Sequence, residues 1–362
     1  MNIEKKTAVI LFNLGGPENL EAVQPFLFNL FNDKAIIGLP QPFRFLLAKL
    51  ISSRRKEKAQ KIYQSIGGKS PLLDNTLNQA YNLEKELSYF GNFKTFVSMR
   101  YSSPFASDIL GDVFNYDPDE VILLPLYPQF STTTSGSSLS DFATKIDRFF
   151  RKNNKKLNLK IVCCYPKEIN FVKSYAFLIK KTLSNIYNNN LEEFNFLFSA
   201  HGLPEKVIKA GDPYVFQVET TTKAIIENLA QILEVAVDKI NFQICYQSKV
   251  GPLEWTKPSL DLSLKKTILD KKIPVIIPVS FVSEHSETLA ELDIEYKELA
   301  TKMGAKNYLR VPALNSDGNF IKSLSEICKK VSATSDAKCF SAQGINRICP
   351  KTFTKCPNPA SL

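Results

Sequence analysis

The sequence lacks any apolar run long enough to cross a bilayer. Its longest stretches, Ala8 to Leu14, Val121 to Leu126 and Val275 to Phe281, are the length of buried strands, against the roughly 20 residues a membrane helix needs. It is short of cysteine: seven residues, scattered through the chain, are too few for a disulfide framework. Their odd number agrees with a reducing compartment in which free thiols are the default. A signal segment is not indicated, since Lys5 and Lys6 precede a short apolar run that gives way to Asn13-Leu14-Gly15-Gly16-Pro17 rather than to a small-residue cleavage site. The expected location is the cytoplasm. Glycine signatures for nucleotides are missing as well. The turn at Asn13 to Pro17 is not G-x-G-x-x-G, and Gly67-Gly68-Lys69-Ser70 imitates the end of a phosphate loop with Tyr63 where the first glycine should stand.

What is present begins with charge. A formal net charge of +10 on 362 residues admits nucleic acid, an anionic membrane surface or an anionic substrate. Lys-rich stretches such as Arg151 to Lys160 carry no interleaved aromatics for base stacking, so no nucleic-acid partner is expected.

Strand-like apolar runs alternate with longer stretches of helical period. The runs are Ala8 to Asn13, Lys94 to Met99, Val121 to Leu126, Leu159 to Cys164, Phe194 to Ser199, Asn241 to Tyr246 and Ile273 to Val279. This alternation predicts an α/β fold with parallel sheets. Two sheets of about four strands fit the length better than one wide sheet. The expected division is a first domain over 1–160, a second over 161–316, and a C-terminal part over 317–362. In that last part a helix from Phe320 to Val331 packs back on the first domain, and a peripheral tail follows.

In open α/β sheets ligands collect at the carboxyl ends of the strands. The chain has only two histidines, and both fall just past an apolar strand: His201 in SAHGLP and His285 in SEHSE. One such histidine is usually a solvated or capping side chain, but two at strand ends point to a shared site. After His285 the pattern reads as an amphipathic helix with Leu289, Leu292, Ile294, Tyr296 and Leu299 near its buried side. Ser283 or Ser286 is the expected N-cap. On an α-helix Glu287, Glu291 and Glu295 drift only about 40° per step and form one acidic stripe. Such a stripe is commonly a solvated face; here it starts two residues from a histidine. Nitrogen and oxygen donors without thiolate suit a borderline divalent ion such as Fe²⁺, held loosely.

Arg100-Tyr101 and the hydroxyl-rich Ser131 to Ser140 also follow strands, and an arginine there favours an anionic partner. Tyr63, Tyr127, Trp255 and Phe281 are aromatics able to frame a flat apolar ligand, although core packing accounts for any one of them. From Phe26 to Lys61 an apolar segment turns basic at Arg54-Arg55-Lys56. An apolar lip with a basic rim rests in an anionic membrane interface or covers an apolar, acidic ligand.

Taken together, LFNLGGP (Leu11 to Pro17), Arg100-Tyr101, LYPQFSTTTSGSSL (Leu126 to Leu139), SAHGLP (Ser199 to Pro204), YQSKVGP (Tyr246 to Pro252) and FVSEHSETLAELDIEY (Phe281 to Tyr296) resemble the ferrochelatase family in order and spacing. The resemblance implies two Rossmann-like domains with a porphyrin cleft between them, and a lyase that inserts Fe²⁺ into protoporphyrin IX with loss of two protons, the last step of haem biosynthesis. By that analogy His201 accepts pyrrole protons or binds iron, Glu287 completes the metal site with His285 beside it, and Glu291 and Glu295 continue a polar path. Arg100 and Tyr101 match residues on the opposite side of the cleft, Asn13, Leu14, Trp255 and Phe281 match its walls, and Arg55, Lys58 and Ser70 match residues that hold propionates. Leu14 favours protoporphyrin IX, since relatives acting on coproporphyrin often carry tyrosine there. Lys69 stands where a third glycine is usual. Thr132 replaces the loop cysteine of relatives with a [2Fe-2S] cluster, and Cys339, Cys349 and Cys356 are widely spaced, so no cofactor beyond the substrate iron is expected. A coproporphyrin III ferrochelatase, a cobalt chelatase and a non-catalytic haem-binding protein are the alternatives.

Overall fold

The computed structural model describes residues 5–184, 186, 190–334, 338–342 and 344–358. The chain forms two units, one of Met1–Tyr165 with Leu324–Ile348 and Pro357–Leu362, the other of Pro166–Ser323 with Cys349–Cys356. The first division falls after Tyr165 rather than after residue 160. The strand Leu159–Cys164 belongs to the first sheet and pairs with Glu120–Pro125.

Unit 1 holds a five-stranded sheet. Its strands are β1 (Lys6–Asn13), β2 (Asn92–Met99), β3 (Glu120–Pro125), β4 (Leu159–Cys164) and β9 (Cys339–Ser341), in the order β2-β1-β3-β4-β9 and parallel throughout. β1 is buried from Thr7 to Asn13, as a central parallel strand covered on both faces must be. Helices Ala106–Tyr116 and Ser135–Lys152 cover one face, where Val113, Phe142, Ile146 and Phe150 pack with Ile10, Phe12 and Leu123.

The tail is not peripheral. Its strand β9 closes the edge of the sheet, with Phe340 fully buried. Three residues are too short to announce a strand as an apolar run. The preceding helix, Gly318–Ala333, ends over a buried cation. Lys160 Nζ donates to the carbonyls of Val331 at 2.9 Å and Thr334 at 2.6 Å, and pairs with Glu120 at 2.8 Å. A cation at a helix C-terminus meets the negative end of the dipole.

Near the start of unit 1, helices Val23–Phe31 and Gln41–Ser65 bury Val23, Phe26 and Leu27 against Tyr63 and Tyr101. They leave Ile36, Leu39, Phe43, Phe45, Leu46 and Leu50 exposed, Phe43 by 66% and Leu46 by 64%. Phe43, Leu46 and Leu50 share one helical stripe. Among the described residues, no helix is long and apolar enough to cross a membrane.

Unit 2 holds a four-stranded parallel sheet of β5 (Phe194–His201), β6 (Phe242–Gln247), β7 (Ile273–Pro278) and β8 (Leu309–Arg310), in the order β6-β5-β7-β8. Leu197, Cys245 and Ile276 pack on Leu260 and Leu264 of helix Leu260–Leu269. Leu292 and Tyr296 join the same cluster from the segment after β7. That segment, Glu287–Tyr296, is a π-helix rather than an α-helix. Single-turn π segments gather at functional sites, and ten residues is long for one.

Candidate active site

The functional groups of unit 2 stand at the carboxyl ends of β5, β6 and β7, three of its four strands, where a parallel sheet offers a ligand site. His201 is the last residue of β5, half-buried after five buried positions. A Cβ on the next residue, Gly202, would lie 3.1 Å from the Gln247 carbonyl and 3.1 Å from the Trp255 ring. The missing side chain lets the Trp255 ring meet the imidazole edge-on, with centroids 6.4 Å apart. From the end of β7, the loop 279–286 carries Phe281, whose ring lies 4.8 Å from that of His285. Glu287 then opens the π-helix and reaches His201: Nδ1 and Oε2 are 2.9 Å apart.

β6 supplies two groups. Gln247 donates from Nε2 to the Glu287 carbonyl at 2.9 Å and to Glu291 Oε2 at 3.1 Å, while its Oε1 accepts from Ser199 Oγ at 2.7 Å. Ser248 donates its backbone N–H to Glu291 Oε1 at 2.9 Å, and its hydroxyl lies 2.5 Å from Glu291 Oε2 and 3.3 Å from Glu287 Oε2. To do so it adopts a left-handed backbone, φ 63, uncommon for a residue with a side chain. One hydroxyl proton cannot satisfy both carboxylates at once.

The charges follow from this packing. Burial opposes the imidazolium of His201, but the Glu287 carboxylate, its hydrogen bond and the Glu291 charge outweigh it and raise the pKa. Burial likewise opposes ionisation of Glu287, yet the His201 charge and hydrogen bond bring it down to about 2. Glu291 is raised, by burial and then by the charge of Glu287, with the Ser248 and Gln247 hydrogen bonds pulling the other way. His285 is lowered by burial, against the charges of Glu287 and Glu284. Among the described residues no three His, Cys, Asp or Glu side chains converge to hold a metal ion.

The acidic stripe is shorter than expected. With i→i+5 bonding a turn holds more than four residues, so a four-residue step falls short of a full turn instead of overshooting it. Glu287 and Glu291 meet through Ser248, while Glu295 is exposed. Ser286 precedes the helix without a side-chain capping bond.

In unit 1, Arg100 and Tyr101 follow β2 but are already engaged. Arg100 Nη2 pairs with Asp33 at 2.9 Å and Nε donates to Ser137 at 2.9 Å, while the buried Tyr101 hydroxyl donates to Asp33 at 2.8 Å. The Tyr101 hydroxyl is therefore a strut to Asp33. Asn13 is buried and donates to Thr76 at 3.0 Å, and Ser70 is buried behind Gly16. Leu14 is partly buried against the cluster that contains Tyr63. Tyr127 is partly buried, Arg55 lies 5.7 Å over the Phe31 ring, and Lys58 is exposed. Asp33, Gln247 and Ser248 are the groups sequence reasoning passed over, while Ser137 lies in the hydroxyl-rich Ser131 to Ser140 segment. Gln247 and Ser248 had a signal, their place directly after a strand within YQSKVGP.

A profile of the ferrochelatase family matches residues 6–332. The ferrochelatase of Rickettsia felis is 48% identical over 356 residues, covering 98% of each chain. That of Pelagibacter ubique is 46% identical over 356 residues, 97% of this chain and 98% of its own. Among solved structures, SirB from Bacillus subtilis with Fe³⁺ matches with TM-score 0.52 at 12% identity, over 91% of this chain and 96% of its own; the likeness is one of fold.

Proposed function

This chain belongs to the ferrochelatase family, a metal chelatase that inserts iron into porphyrin to make haem, and we propose that His201, Glu287 and Glu291 divide the work of that reaction. A free porphyrin carries two pyrrole N–H protons where the metal must go, so insertion needs a base on one side and a cation donor close by. The observation that carries the assignment is the 2.9 Å contact between His201 Nδ1 and Glu287. It fixes the ring and leaves Nε2 without a hydrogen-bond partner among the described residues. Nε2 is the nitrogen offered to the pyrrole proton, and the carboxylate behind it stabilises the imidazolium that results.

Glu287, held ionised, is a poor proton acceptor and a good partner for Fe²⁺. Glu291, whose pKa is raised, is the better acceptor. Ser248 joins it to Glu287, so a proton handed from His201 Nδ1 to Glu287, which holds it poorly, passes on through Ser248 to Glu291. With Glu287 as its protein donor, Fe²⁺ would fill its other positions from water or from the ring nitrogens. Trp255 and Phe281 flank the imidazoles as apolar walls for the macrocycle. Leu14, in an apolar cluster, favours protoporphyrin IX over substrates with more carboxylates, and Arg55, Lys58 and Ser70 are assigned to its propionates. No iron–sulfur cluster is assigned. Thr132 takes the place of the loop cysteine, and Cys349 is buried with Gln217 Nε2 3.1 Å from its sulfur.

The exposed stripe Phe43, Leu46 and Leu50, with Arg54, Arg55 and Lys56 in the next turns, suits peripheral contact with an anionic membrane surface. The central test is anaerobic incubation with Fe²⁺ and protoporphyrin IX, following the haem absorbance. The wild type turns over, and His201→Ala does not, while still quenching its own tryptophan on porphyrin binding. Substantial turnover by His201→Ala would remove the histidine from this role, and faster turnover of coproporphyrin III would reassign the substrate.

A further inference from the structure

The π-helix that carries Glu287 and Glu291, and the loop that leads into it, are each tied to a single side chain on the edge of the sheet. Arg310, in the two-residue strand β8, is largely buried. Its Nε donates to Asp293 Oδ1 at 2.7 Å and its Nη2 pairs with Asp293 Oδ2, a fork that takes both oxygens. Its Nη1 turns the other way and pairs with Glu284. Glu284 is held further: its Oε1 accepts the Ala313 N–H at 2.9 Å, and its own N–H is given to Asn315 Oδ1 at 3.0 Å.

Glu284 and Asp293 bracket the reacting element, with His285, Glu287 and Glu291 between them. Wide i→i+5 turns form weakly on their own, so the rotation of such a helix is set by what its side chains grip. We infer that Arg310 is a positioning residue for iron insertion, whose fork on Asp293 and hold on Glu284 set the π-helix at the rotation that brings Glu287 to His201. The role asks for a planar guanidinium. Lysine keeps the charge but offers a single point and cannot grip both oxygens of Asp293 while reaching Glu284.

This inference rests on the assignment of His201 and Glu287 to the reaction, and the controls separate the two. Kinetics are measured anaerobically for Arg310→Lys, Arg310→Ala and Asp293→Asn, varying Fe²⁺ at saturating protoporphyrin IX and then the reverse. Loss of a metal ligand's own hydrogen-bond partner weakens metal affinity roughly 10- to 100-fold, and Arg310 acts one contact further out, so the low end of that range is the yardstick. The expected result for Arg310→Lys and Arg310→Ala is therefore a KM for Fe²⁺ raised by about tenfold or more, with the porphyrin KM within about twofold of wild type. Asp293→Asn moves the same way by less. A residue that only supports the fold would lower the melting temperature and the active fraction while leaving the Fe²⁺ KM of the active molecules unchanged, and that result in Arg310→Lys would overturn the inference. If the Arg310 variants do not fold, Asp293→Asn decides by the same criterion. Turnover retained by both His201→Ala and Glu287→Gln would overturn the underlying assignment instead.

Discussion

His201 Nδ1 and Glu287 Oε2, 86 positions apart in the chain, meet at 2.9 Å, and the two groups are driven to opposite charge. Because the raised pKa belongs to the histidine, the ion pair is intact below that value and is lost as the pH rises through it. Both Fe²⁺ binding and pyrrole deprotonation need the neutral ring. The value of kcat/KM for Fe²⁺ should thus climb with pH to a plateau. The Glu291 charge is one of the causes that raise His201, so in Glu291→Gln the climb should come at lower pH. A pH profile with an unmoved midpoint would exclude that coupling.

Ser248 invites a pair of substitutions that separate backbone from hydroxyl. Ser248→Ala and Ser248→Gly both remove the hydrogen bond that lowers Glu291, and both should slow turnover by roughly tenfold or more. Only glycine relieves the left-handed backbone, so Ser248→Gly should be about 0.5–1 kcal/mol more stable than Ser248→Ala by urea unfolding. Equal stabilities would remove the strain argument.

Lys160 and Glu120 are 2% and 0% exposed, and removing Lys160 leaves the buried carboxylate with Lys5, 2.8 Å away and 45% exposed, as its remaining cation. Lys160→Ala should therefore cost about 3 kcal/mol in chemical denaturation, the low end for a broken buried pair, and Lys160→Met less, because its stem still fills the site. Burial pushes Glu120 up, but hydrogen bonds from Lys160 and Lys5 hold it below its ordinary value. That stability is present above the ordinary carboxylate range and is lost as the pH falls through the lowered value.

The exposed stripe predicts membrane affinity. A phenylalanine or leucine contributes about 1.5–3 kcal/mol when fully buried, so Phe43→Ser with Leu46→Ser should lower co-sedimentation with anionic phospholipid vesicles at least tenfold. Wild-type protein that stays in the supernatant would rule the contact out.

The strands and the two histidines were readable because buried parallel strands print as uninterrupted apolar runs, and a polar residue directly after one stands out. Other features left no such print. β9 is three residues long and owes its place to pairing with β4. The π-helix shows the apolar spacing of an α-helix, and only its tertiary ties separate the two, which is why Glu295 was assigned to a stripe that it leaves. The bond from the Tyr101 hydroxyl to Asp33 left no print either, since nothing in the sequence links residues 68 positions apart.

The Arg310 fork has a further consequence. A guanidinium keeps its charge at every pH the protein meets, and both its partners are carboxylates. The cation of the fork thus stays charged while the imidazole loads and discharges its proton, so the catalytic cycle never alters that side of the mount on which the imidazole's partner sits.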